Sequence, residues 1–104
     1  MKIWLRQKGG YAGITIDLVS LDTDRVPPET ARTLQTAVGA CGFFELPATV
    51  AGDTVGADML TYEIAIEDGV RKHRVTFVDD DSPRTAPLRR LKDTLLAVRA
   101  GGLR

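Results

Sequence analysis

Residues 60–77, LTYEIAIEDGVRKHRVTF, decide the fold class. Apolar side chains alternate with polar ones on either side of a central Asp68-Gly69 pair. The expected inward set is Leu60, Tyr62, Ile64, Ile66, Val75 and Phe77. A period of two predicts two strands that each bury one face. Asp-Gly between such strands is typical of a tight hairpin turn, because glycine readily takes the positive φ that the turn requires.

The beginning of the chain repeats this plan. Residues 1–21 read MKIWLRQKGGYAGITIDLVSL, with alternating runs on both sides of Gly9-Gly10. Ile3 and Leu5 point one way in the first run, opposite Lys2, Trp4, Arg6 and Lys8. In the second run we expect Ile14, Ile16 and Leu18 to face inward and Thr15, Asp17 and Val19 to face outward. The pattern predicts a second hairpin.

Two helices complete the predicted fold. Pro28 suits a helix start, and apolar residues at helical spacing predict a helix over residues 28–41 that ends at Gly42. A leucine stripe predicts a last helix over residues 85–100. Residues 43–58 have no sustained period and are expected to form a long loop after an apolar Phe43-Phe44 segment. We therefore predict an α+β fold of order ββαββα. It has a four-stranded antiparallel sheet with both helices on one face, in a single domain spanning residues 1–104.

Composition narrows the functional classes. The 104 residues carry 14 basic and 14 acidic side chains, so the chain has no overall attraction for nucleic acid or anionic lipid. Apolar runs are far too short for a membrane span, and the first residues lack the apolar core of a signal peptide. We expect a cytoplasmic protein without nucleic-acid or membrane partners, monomeric when free. Cys41 is the single cysteine, which excludes an intramolecular disulfide.

The sequence offers few side chains that could act in catalysis or bind a metal. His73, the one histidine, has no nucleophile or second ligand nearby in sequence, and Cys41 shares a helix face with apolar residues. Residues 79–81 are three aspartates that lack the ligand spacing of a calcium loop, so we expect a solvated connection before the last helix. No metal site, cofactor or catalytic residue is predicted. A rigid scaffold with glycine-rich loops favours a protein-binding module.

Several segments, in their order and spacing, resemble the emfourin family of protease inhibitors. They are Gly-Gly-Tyr-Ala-Gly-Ile after a short strand, Leu21-Asp22-Thr23-Asp24 before a proline-led helix, Phe43-Phe44-Glu45-Leu46-Pro47, Gly56-Ala57-Asp58, the Tyr62-to-Gly69 strand and turn, and the closing leucine-rich helix. Emfourins are small bacterial proteins that inhibit thermolysin-like and protealysin-like zinc metallopeptidases of the M4 family. The resemblance implies a stoichiometric inhibitor with an M4 metallopeptidase as its partner.

Such an inhibitor either ligates the active-site zinc or fills the substrate cleft. Cys41 and His73 lie on expected core faces, so we favour cleft occlusion by the loops at residues 22–27 and 52–58. Thermolysin-like enzymes favour bulky apolar groups just past the scissile bond, and each loop carries one valine for which local packing is an equally good explanation. The candidate partner-binding residues are Asp24, Arg25, Val26, Asp53, Thr54, Val55, Gly56 and Ala57.

Three alternatives belong to other functional classes. The first is an interaction or regulatory domain without a protease target. The second is a small enzyme that uses His73, for which no catalytic constellation is visible. The third is a nucleic-acid binder that uses the basic last helix with Arg89, Arg90, Lys92 and Arg99, which lacks interleaved aromatic residues.

Overall fold

The computed structural model describes residues 1–9, 14–50, 61–80 and 82–99. Its elements are β1 (Lys2–Gly9), β2 (Ile14–Asp22), α1 (Pro28–Cys41), β3 (Thr49–Val50), β4 (Thr61–Asp68), β5 (Arg71–Val78) and α2 (Ala86–Arg99). Single 3₁₀ turns occupy Thr23–Arg25 and Phe43–Glu45. The predicted α+β class is confirmed, but the sheet differs in detail from the prediction.

Five strands form one mixed sheet in the order β2-β1-β4-β5-β3. The four long strands pair antiparallel, as predicted. The prediction of a purely antiparallel four-stranded sheet is wrong because β3 adds a fifth strand, parallel to β5, with Thr49 opposite Thr76 and Val50 opposite Phe77. A two-residue strand has no detectable period, so residues 49 and 50 were predicted as part of the loop.

The β4–β5 hairpin forms as predicted, with its turn one residue later than the expected Asp68-Gly69 pair. Asp68 pairs with Arg71, which leaves Gly69 and Val70 as the turn residues. Gly69 has a φ of +64°, the left-handed conformation that favours glycine. Tyr62, Ile64 and Ile66 on β4 are buried, as predicted.

The inward set of β2 departs from the prediction. The register between β1 and β2 shifts between Leu5 and Arg6, which marks a bulge and reverses the alternation along β2. Val19 is therefore buried, whereas it was expected to face outward, and Leu18 is only half-buried. Ile14 and Ile16, expected in the core, are 59% and 48% exposed near the end of the hairpin.

Helix α1 spans the predicted residues. Pro28 occupies its first turn, and Gly42 caps its end with a φ of +60°. The chain then makes the turn Phe43–Glu45 and buries Phe43 against the core, as expected from the apolar Phe43-Phe44 pair. Thr30, Leu34 and Val38 form the buried part of the helix face.

The connection before α2 is less solvated than expected. Asp80 is only 5% exposed, and its Oδ1 accepts hydrogen bonds from Ser82 N at 3.0 Å and Thr85 Oγ1 at 2.9 Å. Asp79 contacts Lys92 Nζ at 3.2 Å through Oδ2. Asp80 thus organises the turn that leads into α2 rather than lying in solvent. Asp81 falls outside the described residues.

One hydrophobic core lies between the sheet and the two helices. Its sheet side is formed by Ile3, Leu5, Val19, Tyr62, Ile64, Ile66, Val75 and Phe77, and its helix side includes Leu34, Val38, Leu88, Leu91 and Leu95. The opposite sheet face is covered by no helix of the described residues. Neither helix is long and apolar enough to cross a membrane.

Candidate functional site

The predicted contact residues that the structure describes lie just after β2. Thr23 fixes this segment, since its backbone N donates to Met1 O at 2.9 Å and its side chain is buried. Asp24 N donates to Asp22 Oδ1 at 3.0 Å. Asp24 and Arg25 are exposed, and Val26 is half-buried with extended backbone. Two charged side chains and part of a valine are therefore presented by a well-anchored turn.

The second predicted segment, with Asp53, Thr54, Val55, Gly56 and Ala57, lies outside the described residues. Its bordering residues can be placed from the strand register. Thr61 pairs with Lys8 on β1, whereas Asp22 pairs with Lys2, six positions away along the same strand. At the rise of a β-strand, these two ends of the sheet are about 20 Å apart. The borders of the two predicted segments thus lie at opposite ends of the sheet.

The sheet face without helices, which we call the open face, carries the chain's only tryptophan. The cross-strand partners of Trp4 are Ser20 on β2 and Ala65 on β4. Both are small, and the indole is half-buried. Trp4 lines a groove of about 610 Å³ toward Lys72 and Arg74 and another of about 460 Å³ toward Arg25 and Val26. The indole joins the two grooves into one surface that reaches the predicted Arg25–Val26 segment.

A nearly buried carboxylate lies beside this tryptophan. Glu63 is only 4% exposed although it projects from the open face. Three cations surround it: Lys8 Nζ lies 2.6 Å from Oε2, while Arg74 Nε and Arg6 Nη1 lie 3.6 and 3.8 Å from Oε1. Arg6 Nε also contacts Asp17 Oδ1 at 2.9 Å. The single carboxylate holds three cationic side chains together and fixes their orientation.

Cys41 and His73 are held by internal contacts. Cys41 Sγ donates to Val38 O at 3.4 Å, and burial raises the pKa of its thiol above the ordinary value, opposed by backbone hydrogen bonds from Cys41 and Phe43. A thiol in this setting is a poor zinc ligand, because metals bind the thiolate. His73 Nε2 donates to Leu46 O at 2.6 Å, and its ring packs edge-on against Phe43 at 5.6 Å between centroids. Among the described residues, no group of three or more His, Cys, Asp and Glu side chains is arranged to hold a metal ion.

The basic side of α2 is largely tied into the fold. Arg89 donates to Thr85 Oγ1 and to Ser82 O, both at 3.1 Å. Lys92 is 9% exposed, contacts Asp79 and lies 4.8 Å from the centre of the Tyr62 ring. Two of the four cations considered for nucleic-acid binding therefore serve internal packing.

A family model for emfourins matches residues 5–96. The chain belongs to the emfourin family. The match covers most of the chain, including β2 to β5, the larger part of β1, all of α1 and most of α2. Membership in this family implies a protease-inhibitor role and agrees with the resemblance drawn from the sequence motifs. No curated protein and no solved structure matches the chain.

Two features of this emfourin were missed by sequence reasoning. A period of two places Glu63 on the outward face, and nothing in that pattern indicates that its side chain is buried there. The cations that bury it come from β1 and β5, and the neighbourhood of β1 and β4 depends on strand order. Trp4 was noted as outward-facing, but the small residues beside it become apparent only from the register.

Proposed function

We propose that this emfourin inhibits M4 zinc metallopeptidases of the thermolysin and protealysin type by stoichiometric binding. The observation that carries the proposal is the family match over residues 5–96. The protein occludes the substrate cleft with surface elements and contributes no ligand to the peptidase zinc. The internal hydrogen bonds of Cys41 and His73 support this mode, since both side chains would have to leave their partners to reach a metal in another protein.

Cleft occlusion requires a preorganised contact surface. The turn that presents Asp24, Arg25 and Val26 is anchored by the Thr23–Met1 hydrogen bond and by the Asp22 side chain. An anchored turn loses little conformational entropy on binding, which favours tight association. We include residues 53–57 in the proposed contact set on the basis of their sequence.

The proposal is tested by titrating a thermolysin-like peptidase with the purified protein at a peptidase concentration well above the dissociation constant. Residual activity should fall linearly and reach its minimum near equimolar ratio. The inhibitor should remain intact after prolonged incubation, as judged by mass spectrometry. Full activity under excess protein for both thermolysin-like and protealysin-like enzymes would refute the proposed function.

The two predicted segments can be separated by a matched pair of substitutions. Val26→Asp and Val55→Asp make the same chemical change in segments whose borders lie at opposite ends of the sheet. A buried interface anchor costs about 2 kcal/mol when lost, or about thirtyfold in affinity. The variant with the larger loss of inhibition, at unchanged melting temperature, identifies the segment nearer to the cleft. Unchanged inhibition in both variants would remove the two valines from the contact set.

The second candidate function is a regulatory interaction domain without a protease target. It is favoured by the open face around Trp4, which any protein partner with complementary charge could use. The same titration decides between the two functions, since this alternative predicts no effect on peptidase activity.

A further inference from the structure

We propose that the open face around Trp4 is the main docking surface of the inhibitor and that it takes a carboxylate-rich protein surface of the target peptidase. This inference rests on the proposed inhibitory function and adds a face and a partner chemistry to it. The indole of Trp4 is the central anchor. Arg74 and Lys72 flank it on one side, and Arg25 extends the surface on the other.

The indole of Trp4 is half-buried and has small cross-strand neighbours. In a sheet, the residues directly opposite a large aromatic side chain normally pack against it. Trp4 has Ser20 on one side and Ala65 on the other, so a ring with a large apolar area lies between two small neighbours. Grooves on both sides give a partner access to it. A rigid, amphipathic tryptophan between two grooves has the properties of an interface hot spot.

The charges of the open face lie at different depths. Glu63 is buried beneath three cations, and Asp17 is exposed but paired with Arg6. Glu67 lines the groove, is half-buried and lies opposite Lys2 and Lys72 in the register. These two lysines are exposed, and Arg74 keeps 66% of its side chain accessible. Apart from the paired Asp17, the most exposed charges of this face are therefore cations, although the whole chain is neutral.

Arg74 is oriented before a partner binds. Its Nε lies 3.6 Å from Glu63 Oε1 while 66% of its side chain stays exposed, so its guanidinium remains accessible to a planar carboxylate. Glu63 holds Arg74 in place before binding, which reduces the entropy lost when a partner arrives. A phosphate polymer would meet the same cations, but the neutral chain and the single aromatic on this face favour a protein partner.

The experiment uses the single tryptophan as a probe. The protein is labelled with 5-fluorotryptophan, so that it gives one ¹⁹F resonance, and is titrated with an unlabelled thermolysin-like peptidase. We expect the chemical shift of this resonance to change and the change to saturate at equimolar ratio. An unchanged chemical shift while the protein inhibits the enzyme would overturn the docking surface and leave the inhibitory function standing.

Matched double variants test the role of charge. Lys72→Gln/Arg74→Gln removes two cations from the open face, and Arg32→Gln/Arg90→Gln removes two exposed cations from the helices. Both variants have the same net charge. We expect the first to bind the peptidase about tenfold more weakly at low salt and the second to stay within about twofold of the wild type. Equal affinities for the two variants would contradict the inference.

Two further outcomes show whether the proposed function or the proposed class of partner is wrong. A wild-type protein that neither binds nor inhibits any M4 peptidase would overturn the docking inference together with the proposed function. A Trp4 resonance that responds to heparin or duplex RNA but not to the peptidase would replace the protein partner with an anionic polymer.

Discussion

The two faces of the same sheet bury side chains in opposite ways. On the helix-covered face, Ile3, Leu5, Ile64 and Phe77 are completely buried among apolar neighbours. On the open face, the most buried side chain is a carboxylate, Glu63, beneath cations that themselves remain 42–66% exposed. Side chains on the first face are buried by apolar packing, whereas Glu63 on the open face is buried by ion pairs. The comparison indicates that the first face maintains the fold, while the second is organised but still available to a partner.

This difference predicts that substitutions on the two faces separate stability from inhibition. Helix-face variants should lower the free energy of unfolding and affect inhibition only through loss of folded protein. Variants of exposed open-face side chains should change inhibition more than stability. Glu63 is the exception, because it is buried on that face.

Removal of a core aromatic should have the largest effect. Phe77 is fully buried and stacks on Tyr62 with 5.8 Å between ring centres. Phe77→Ala should lower the free energy of unfolding by about 3–5 kcal/mol through lost burial and a residual cavity. Urea unfolding measures the change. Thr76→Ala, next along β5 and on the other face, is the control and should cost less than about 1 kcal/mol. Similar losses of unfolding free energy for both variants would show that the two faces do not differ in their contribution to stability.

Trp4→Ala should act mainly on inhibition. The indole is only half-buried between small neighbours, so its loss should change the melting temperature little. Its loss as an interface anchor should raise the inhibition constant about thirtyfold. Trp4→Phe, which keeps an aromatic ring, should recover part of the affinity. A Trp4→Ala variant that inhibits normally would show that the open face is not used.

Glu63→Gln should have a smaller effect, which we expect on the free energy of unfolding. The substitution keeps the shape but removes the negative charge that balances Arg6, Lys8 and Arg74. We expect a loss of about 1–2 kcal/mol in the free energy of unfolding at low salt, and a smaller loss in 1 M salt because screening weakens the repulsion among the cations. Glu67→Gln, the same change four residues further along β4, is the control. A larger loss for Glu67→Gln would contradict the assigned role of Glu63.

The smallest effects on inhibition are expected at Cys41 and His73. Cys41→Ala and His73→Gln should keep the wild-type inhibition constant, because neither side chain is assigned to the interface. Burial raises the pKa of the Cys41 thiol, so the folded state holds this proton more tightly than the unfolded state. Its contribution to stability is therefore full below the ordinary thiol pKa and declines as the pH rises above it. Alkylation of Cys41 should accordingly be slower in the native protein than in urea. Loss of inhibition in a folded Cys41→Ala variant would indicate zinc ligation.

The sequence predicted those parts of the fold that depend on local pattern. Helix α1 follows from Pro28, the apolar stripe and Gly42, and the β4–β5 hairpin follows from strict alternation around Gly69. The bulge in β2 and the short β3 could not be predicted, because each depends on a neighbouring strand rather than on local period.

Dependence on neighbouring strands also limited what the sequence could predict about the candidate site. Asp24, Arg25 and Val26 could be proposed from the sequence because they lie in one chain segment with a clear boundary. Trp4 and Glu63 required the order of the strands, since their neighbours come from residues far away in the chain. The three cations around Glu63 come from two different strands, so no spacing along β4 could predict their arrangement.

Cleft occlusion without zinc ligation is tested most directly by isothermal titration calorimetry of the purified protein into a thermolysin-like peptidase, with and without a saturating phosphoramidate inhibitor in the active-site cleft. Our account predicts equimolar binding to the free enzyme and strongly weakened binding when the cleft is filled. It also predicts that the Cys41→Ala/His73→Gln variant gives the same isotherm as the wild type. Equally tight binding to the filled and the free enzyme would contradict cleft occlusion.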